Sequence, residues 1–220
     1  MPEQRLLFEK TGRAIYISHL DLMRTFQRIF ARAGVTVKHS EGFNPRPKIS
    51  IALPLSLGQE SVCEILDFCL VSGSTLNELP EKLNAVSPEG IRILEAYNAE
   101  RKPKEICWVK IQGQMEYDRG VPENIEKSLI YFFAQKSIVI KKKSKSGISD
   151  FDIVPCIKSV VFEKTSQNTV TVKTVITAQN PALNPENLMA ALRQLSPALA
   201  PDFTKFRRIE VFDKDGEIFR

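Results

Sequence analysis

Histidine, cysteine and long apolar runs are scarce in this chain. Two histidines and four cysteines occur in 220 residues. Cys63, Cys69, Cys107 and Cys156 form no C-x-x-C pair, so neither a zinc ribbon nor an iron–sulfur cradle is encoded, and buried, inert thiols are expected. The strong catalytic words are missing as well: no G-x-x-x-x-G-K-[ST], no G-x-G-x-x-G, no H-E-x-x-H and no G-x-S-x-G. No apolar run approaches the ~20 residues that cross a bilayer. The opening MPEQRLLFEKTGR carries charges where a signal peptide needs an apolar core. These absences point away from membrane, secreted and metal-dependent classes, towards a cytoplasmic protein with no metal or cofactor of its own.

What is present is an ordinary globular composition, 43% hydrophobic and 26% charged, with a net charge of +5. That charge is unevenly spread: residues 1–50 sum to +5 and residues 51–100 to −6. The basic excess gathers near the N-terminus and in a lysine run, Lys136 with Lys141, Lys142, Lys143 and Lys145, that no acid interrupts. Basic clusters of this kind suit a polyphosphate. For the lysine run the plainer alternative is an exposed edge strand protected from aggregation by its lysines.

Alternating apolar residues in RLLFEKTGRAIYIS predict a hairpin or bent strand around Gly12. The period then changes to that of a helix, with Ser18 and Asp21 as a shortened capping box, Leu22, Met23, Phe26, Ile29, Phe30 and Ala33 on the apolar face, and Gly34 as the left-handed stop. Arg24, Arg28 and Arg32 recur every four residues on the other face. They read either as a solvated face or as a stripe whose mutual repulsion an anionic partner relieves. Strands are predicted at 35–40, 48–53 and 61–71, a second helix at 76–86 and a strand at 91–96. After a polar, proline-containing linker at 100–104 the cycle repeats: strand 106–114, helix 121–135, strands 137–142, 158–164 and 169–178, helix 185–195 and strand 205–213. The fold class expected is α+β, two tandem ferredoxin-like modules with antiparallel or mixed sheets, residues 1–100 with an extra hairpin and residues 105–220. In such a module both helices cover one sheet face, and the other is expected to stand open. Tyr131, Phe132 and Phe133 are expected to be buried helix residues.

The most informative stretch is residues 38–48, Lys-His-Ser-Glu-Gly-Phe-Asn-Pro-Arg-Pro-Lys. Pro45 and Pro47 fix φ on either side of Arg46 and push the residue before each towards extended geometry, which stiffens the loop. Phe43 is read as a core anchor in preference to a stacking surface for a base. The run ISHLDLMRTFQRIFARAGVTVKHSEGFNPRPKISIALPLSLG resembles the bacterial radical-SAM-linked family, a domain of unknown function sometimes fused to or encoded beside cobalamin-binding radical SAM proteins or ribonuclease E/G-type proteins. S-H-L-D-L-M-R and G-F-N-P-R-P-K-I-S carry the resemblance, which continues more weakly to PALNPENLMAAL. It implies a radical SAM protein as partner, an RNA context, or both. The chain has no C-x-x-x-C-x-x-C of its own, so it would assist and not perform radical chemistry.

His19 and His39, the two histidines, fall one in each of those words. Imidazoles acting as general acid and base, with Arg46 or Lys48 stabilising developing charge, would make a metal-independent endoribonuclease. The plainer reading is that each donates to a nearby carbonyl. Paired ferredoxin-like modules are also similar in outline to the CRISPR RNA-processing endoribonucleases, but the C-terminal RRIEVFDKDGEIFR lacks their glycine-rich loop. The leading expectation is therefore a non-catalytic module that binds RNA (tRNA or rRNA) and presents it to a radical SAM partner. Phosphates would be met by Arg24, Arg28, Arg32, Arg46 and Lys48, with Lys141, Lys142 and Lys143 as a further basic surface and His19, His39 and Asn44 adding hydrogen bonds. The alternatives are the His19/His39 endoribonuclease and a protein–protein adaptor for a radical SAM enzyme.

Overall fold

The computed structural model describes residues 3–144 and 147–220, without the side chains of Lys143 and Ser144. The fold is α+β, and the chain divides into two compact units: Met1–Glu105 together with Phe219–Arg220, and Ile106–Ile218.

In the first unit β1 (Gln4–Lys10) leads through a 3-10 turn (Gly12–Tyr16) to α1 (His19–Arg32). The predicted continuation of a hairpin through 13–17 is thus replaced by a helical turn. Its end is tied down where the Lys10 ammonium donates to the Ile15 carbonyl. At the start of α1, Ser18 Oγ accepts from the Asp21 amide at 3.2 Å and donates to the Asp21 carboxylate at 2.7 Å. The carboxylate therefore reaches the capping hydroxyl and not the backbone. Gly34, at φ +68°, takes the left-handed conformation that ends the helix.

The chain then forms β2 (Thr36–Val37), β3 (Ile49–Ala52), β4 (Glu60–Phe68), β5 (Leu70–Ser72), α2 (Leu79–Asn84) and β6 (Ile91–Asn98). The single strand expected at 61–71 is two strands, because the chain leaves the sheet at Cys69 so that β5 can pair with β2. The sheet runs β3-β4-β1-β6 with every pair antiparallel. Leu6, Phe8, Leu66, Phe68, Ile91 and Ile93 meet Phe26, Ile29, Phe30, Leu79 and Leu83 in one cluster, so α1 and α2 cover the same face. Burying side chains of this size contributes about 1.5–3 kcal/mol each.

The opposite face does not stand open as expected. Arg5 and Asp67, which alternate away from the helix-side core, are buried. Arg5 Nε donates to Asp67 Oδ1 at 2.6 Å, and Nη2 donates to Asp67 Oδ2 at 3.0 Å and to the Arg101 carbonyl at 2.9 Å. The ring of Phe219 lies 4.9 Å from the Arg5 guanidinium and 4.8 Å from that of Arg101. The last residues of the chain thus close over this face.

The second unit consists of β7 (Trp108–Glu116), α3 (Ile125–Phe133), β8 (Val139–Ser144), β9 (Gly147–Asp152), β10 (Ile157–Lys164), β11 (Thr169–Thr177), α4 (Glu186–Leu195) and β12 (Phe203–Phe212). Its sheet runs β10-β11-β7-β12, again antiparallel throughout. In order of appearance, and leaving out the inserted strands, both sheets have the strand order 2-3-1-4. Gly113, at the centre of β7, faces Val172 and Phe206, and a Cβ there would come within 2.6 Å of the Phe206 ring. The position needs glycine because large side chains from both neighbouring strands meet over it. Phe132 and Phe133 are buried, the latter stacked on Phe162 with ring centroids 5.5 Å apart. Tyr131, expected in the core, is exposed beside a groove of about 700 Å³ between α3 and the segment after α4. The strand β9 was not expected; its sequence GISDFD has no apolar alternation to announce it.

Candidate nucleic-acid interface

Two neighbouring elements of the first unit carry the candidate site. On α1 the apolar stripe turns inward, which leaves Arg24, Arg28 and Arg32 exposed on the solvent side, one every ~6 Å along the axis. Arg24 is partly engaged: its Nη1 lies 3.1 Å from Asp21 Oδ1. The hydrogen bond from Ser18, then the one from Arg24, hold the Asp21 carboxyl below the ordinary carboxylate value, and the charges of Arg24 and Arg28 add to this. Arg28 and Arg32 have no ion-pair partner among the described residues.

At the C-terminal end of α1 the chain enters β2 and then a ribbon, residues 38–48. The Lys38 amide donates to the Cys69 carbonyl at 2.8 Å, and the Lys48 amide to the Lys38 carbonyl at 2.7 Å. His39 bridges Pro47 in antiparallel register. Further out, the Ser40 amide donates to the Arg46 carbonyl at 2.8 Å, and the Arg46 amide donates to Ser40 Oγ at 2.9 Å. With His39 opposite Pro47, the flanking pairs Lys38 with Lys48 and Ser40 with Arg46 share the other face. Three cations, Lys38, Arg46 and Lys48, therefore stand together on one side of a cross-braced ribbon.

Phe43 sits at the tip and is fully exposed. Its expected role as a core anchor is overturned, because the core below is already filled by Phe26, Phe30 and Phe68 and the ribbon carries the ring outward. Asn44 is exposed beside it. Lys38 is the site residue that the sequence reading left out, and Phe43 the one for which it preferred the core to a stacking role. Lys38 carries no local signal for this, since its place follows from the His39–Pro47 pairing. Phe43 had a turn-forming neighbour on each side, Gly42 and Asn44.

The two histidines are not brought together. His19 is the first residue of α1 and His39 lies beyond its last, past β2, so the whole 14-residue helix, ~20 Å of it, separates them along the chain. His19 is exposed. His39 Nδ1 is 3.0 Å from the Val37 carbonyl, which favours the Nδ1–H tautomer and leaves Nε2 to accept.

In the second unit the lysine run lies on the β8–β9 hairpin. Lys141 reaches Asp150, its cross-strand partner, at 2.5 Å. Lys142 stands 4.3 Å above the Phe151 ring. The Lys141 amide also donates to Gln194 at the end of α4. These lysines serve their own hairpin before any ligand. The side chain of Lys143 and all of Lys145 lie outside the described residues. Among the described residues no group of three or more His, Cys, Asp or Glu is placed to hold a metal ion, and no helix is long and apolar enough to cross a membrane. Cys63 and Cys156 are buried, whereas Cys69 and Cys107 are only partly so.

Residues 4–185 match the model of the family described as "Uncharacterized protein conserved in bacteria (DUF2344)". The chain belongs to the DUF2344 family. The DUF2344 match takes in the whole of α1 and the ribbon and stops just short of α4. No curated protein matches the chain. Among solved structures it is similar to a chain of a Cbf5-Nop10-Gar1 complex, with a TM-score of 0.54 and 10% identity, over 96% of this chain and 50% of that one. It spans half the length of that neighbour, and at this identity the likeness concerns the fold alone. An unknown protein from Galdieria sulphuraria also matches, at 9% identity over 96% of this chain and 98% of that one, with a TM-score of only 0.27.

Proposed function

We propose that this DUF2344 protein is a non-catalytic RNA-binding module that presents its RNA to a radical SAM RNA-modifying partner. The two units are read as tandem ferredoxin-like modules, since both repeat the antiparallel strand order 2-3-1-4 with two intervening helices. What supports the RNA reading is the ribbon 38–48, whose cross-strand pairing puts Lys38, Arg46 and Lys48 on one side, with an exposed aromatic ring at the tip and, on the adjoining helix, Arg28 and Arg32 without an ion-pair partner among the described residues. Cations give affinity for a phosphate backbone, and a bare ring gives a platform for a base. The radical SAM partnership rests on the resemblance carried by S-H-L-D-L-M-R and G-F-N-P-R-P-K-I-S, and the RNA is expected to be tRNA or ribosomal RNA.

The endoribonuclease alternative loses its footing in the separation of His19 from His39. General acid and base must both come within hydrogen-bonding reach of one reacting phosphate, whereas His19 opens α1 and His39 lies on the ribbon that follows its other end. Titration of tRNA and ribosomal RNA fragments at low salt tests the proposal. Binding that weakens with salt and with Arg28→Ala and Arg46→Ala supports it. Affinity that is unmeasurable at low salt, or indifferent to both substitutions, removes it. Co-purification of a radical SAM protein that survives nuclease treatment and depends on Arg24 would move the site to the adaptor reading.

A further inference from the structure

We infer that the ribbon selects single-stranded RNA and holds one unstacked base against Phe43. This rests on the RNA-binding reading above and specifies which form of RNA the site takes. The first ground is the exposure of the ring. Phenylalanine is normally buried, and this one has its whole surface in water at the end of a braced support. The brace comes from both sides: Ser40 grips Arg46 through its backbone and its hydroxyl, His39 pairs with Pro47, and Pro45 and Pro47 restrict the returning strand. A ring presented this way loses little further freedom on binding.

The second ground is the shape of the possible ligands. In a paired A-form helix the bases are stacked on one another and the deep groove is too narrow for side chains to enter. A ring on a protruding tip then meets only sugars, phosphates and the base edges of the shallow groove, none of which offers it a free π-face. An unpaired base offers a free π-face whatever its identity, so the site tolerates many sequences. The third ground is the charge around the ring. Lys38, Arg46 and Lys48 share the ribbon face below Phe43, where they can meet the phosphates flanking a stacked base. Glu41 is the one acid between residues 38 and 48. A loop, bulge or end of a folded RNA has both features, and a nucleotide splayed in this way is accessible to a second enzyme.

The test uses the full-length protein, fluorescence anisotropy and three probes: a single strand of about 12 nucleotides without self-complementarity, the same strand annealed to its complement, and a hairpin presenting it as the loop. Wild type, Phe43→Ala, Phe43→Trp and Arg46→Ala are compared, with thermal melts to confirm unchanged folding. The single strand and the loop should bind at least about tenfold more tightly than the duplex. Phe43→Ala should weaken the first two between about five- and a hundredfold and leave the duplex unchanged, while Phe43→Trp retains binding. Arg46→Ala should weaken all three. Duplex affinity equal to that of the single strand, or single-strand affinity indifferent to Phe43→Ala, overturns the inference while leaving RNA binding itself intact. No binding by any probe removes both. A nuclease-resistant protein partner lost only in Phe43→Ala, with RNA affinity unchanged, also overturns it by making the ring a protein anchor.

Discussion

In each unit an extra segment is inserted at the same point of the strand order, between the first helix and the second strand of the sheet. In the first unit it is β2 with the ribbon 38–48; in the second it is the β8–β9 hairpin. Both are basic, and both carry a phenylalanine. In the second unit the described lysines of the hairpin are engaged internally: Asp150 pairs with Lys141, Lys142 covers Phe151, and Gln194 fixes the strand to α4. In the first unit backbone bonds and the Ser40 hydroxyl hold the ribbon together, so Lys38, Arg46, Lys48 and Phe43 keep their chemistry for something else. Equal composition thus has opposite consequences, depending on whether the facing strand supplies partners.

The comparison assumes that each sheet stands independently of its insertion, and the largest expected effect tests that. Asp67→Ala leaves the Arg5 guanidinium buried without its carboxylate and should cost about 3–5 kcal/mol in denaturant titration. Gly113→Ala forces a methyl group between Val172 and Phe206 and should cost about 1–3 kcal/mol in the same measurement. Losses well below these values would mean that the insertions carry stability assigned here to the frames.

Next in size is the contrast between the insertions. Replacing Arg28, Arg46 and Lys48 together by alanine should lower affinity for single-stranded RNA at least about tenfold and flatten the log–log salt slope by about 2, from ~0.7 per phosphate contact. Replacing Lys141 and Lys142 should change affinity less than about twofold, because both are already engaged. Equal losses for the two sets would erase the distinction. Stability should show the reverse pattern: Phe151→Ala removes a ring that supports Lys142 and should cost about 1 kcal/mol, whereas Phe43→Ala should stay within about 0.5 kcal/mol of wild type.

The smallest effect concerns the start of α1. Because the Asp21 carboxyl is held below its ordinary value, its support for the helix is fully present above the ordinary carboxylate range. It is lost as the pH falls through the depressed folded value. Circular dichroism between pH 5 and pH 2 should show a small loss of helix that Asp21→Asn, which never carries the charge, does not show.

Much of this frame is legible in the sequence where a local signal coincides with burial. Ser18, the apolar stripe from Leu22 to Ala33 and Gly34 mark α1 because cap, periodicity and stop all act within the helix itself. The alternation of Ile49 and Ile51 marks β3 for the same reason. The break at Cys69 is not legible, since apolar residues continue on both sides of it and only pairing with distant β2 decides that the run 61–71 splits. Nor is β9, whose GISDFD becomes a strand because β8 offers it a partner. For the candidate site the misleading residue is Phe43. An aromatic ring usually signals core, and its exposure follows from the cross-bracing of Ser40 with Arg46, a tertiary fact. The lysine run misled in the opposite sense: its local charge is plain, but its partners Asp150 and Phe151 come from a strand that gives no warning.

The most direct measurement of the central claim is ultraviolet crosslinking of a single-stranded RNA to the intact protein, followed by peptide mapping by mass spectrometry. The account predicts that the dominant adduct falls on the peptide containing Phe43, with weaker adducts along α1, and that it disappears in Phe43→Ala. Adducts concentrated on the β8–β9 hairpin, or an adduct pattern unchanged by Phe43→Ala, would contradict it.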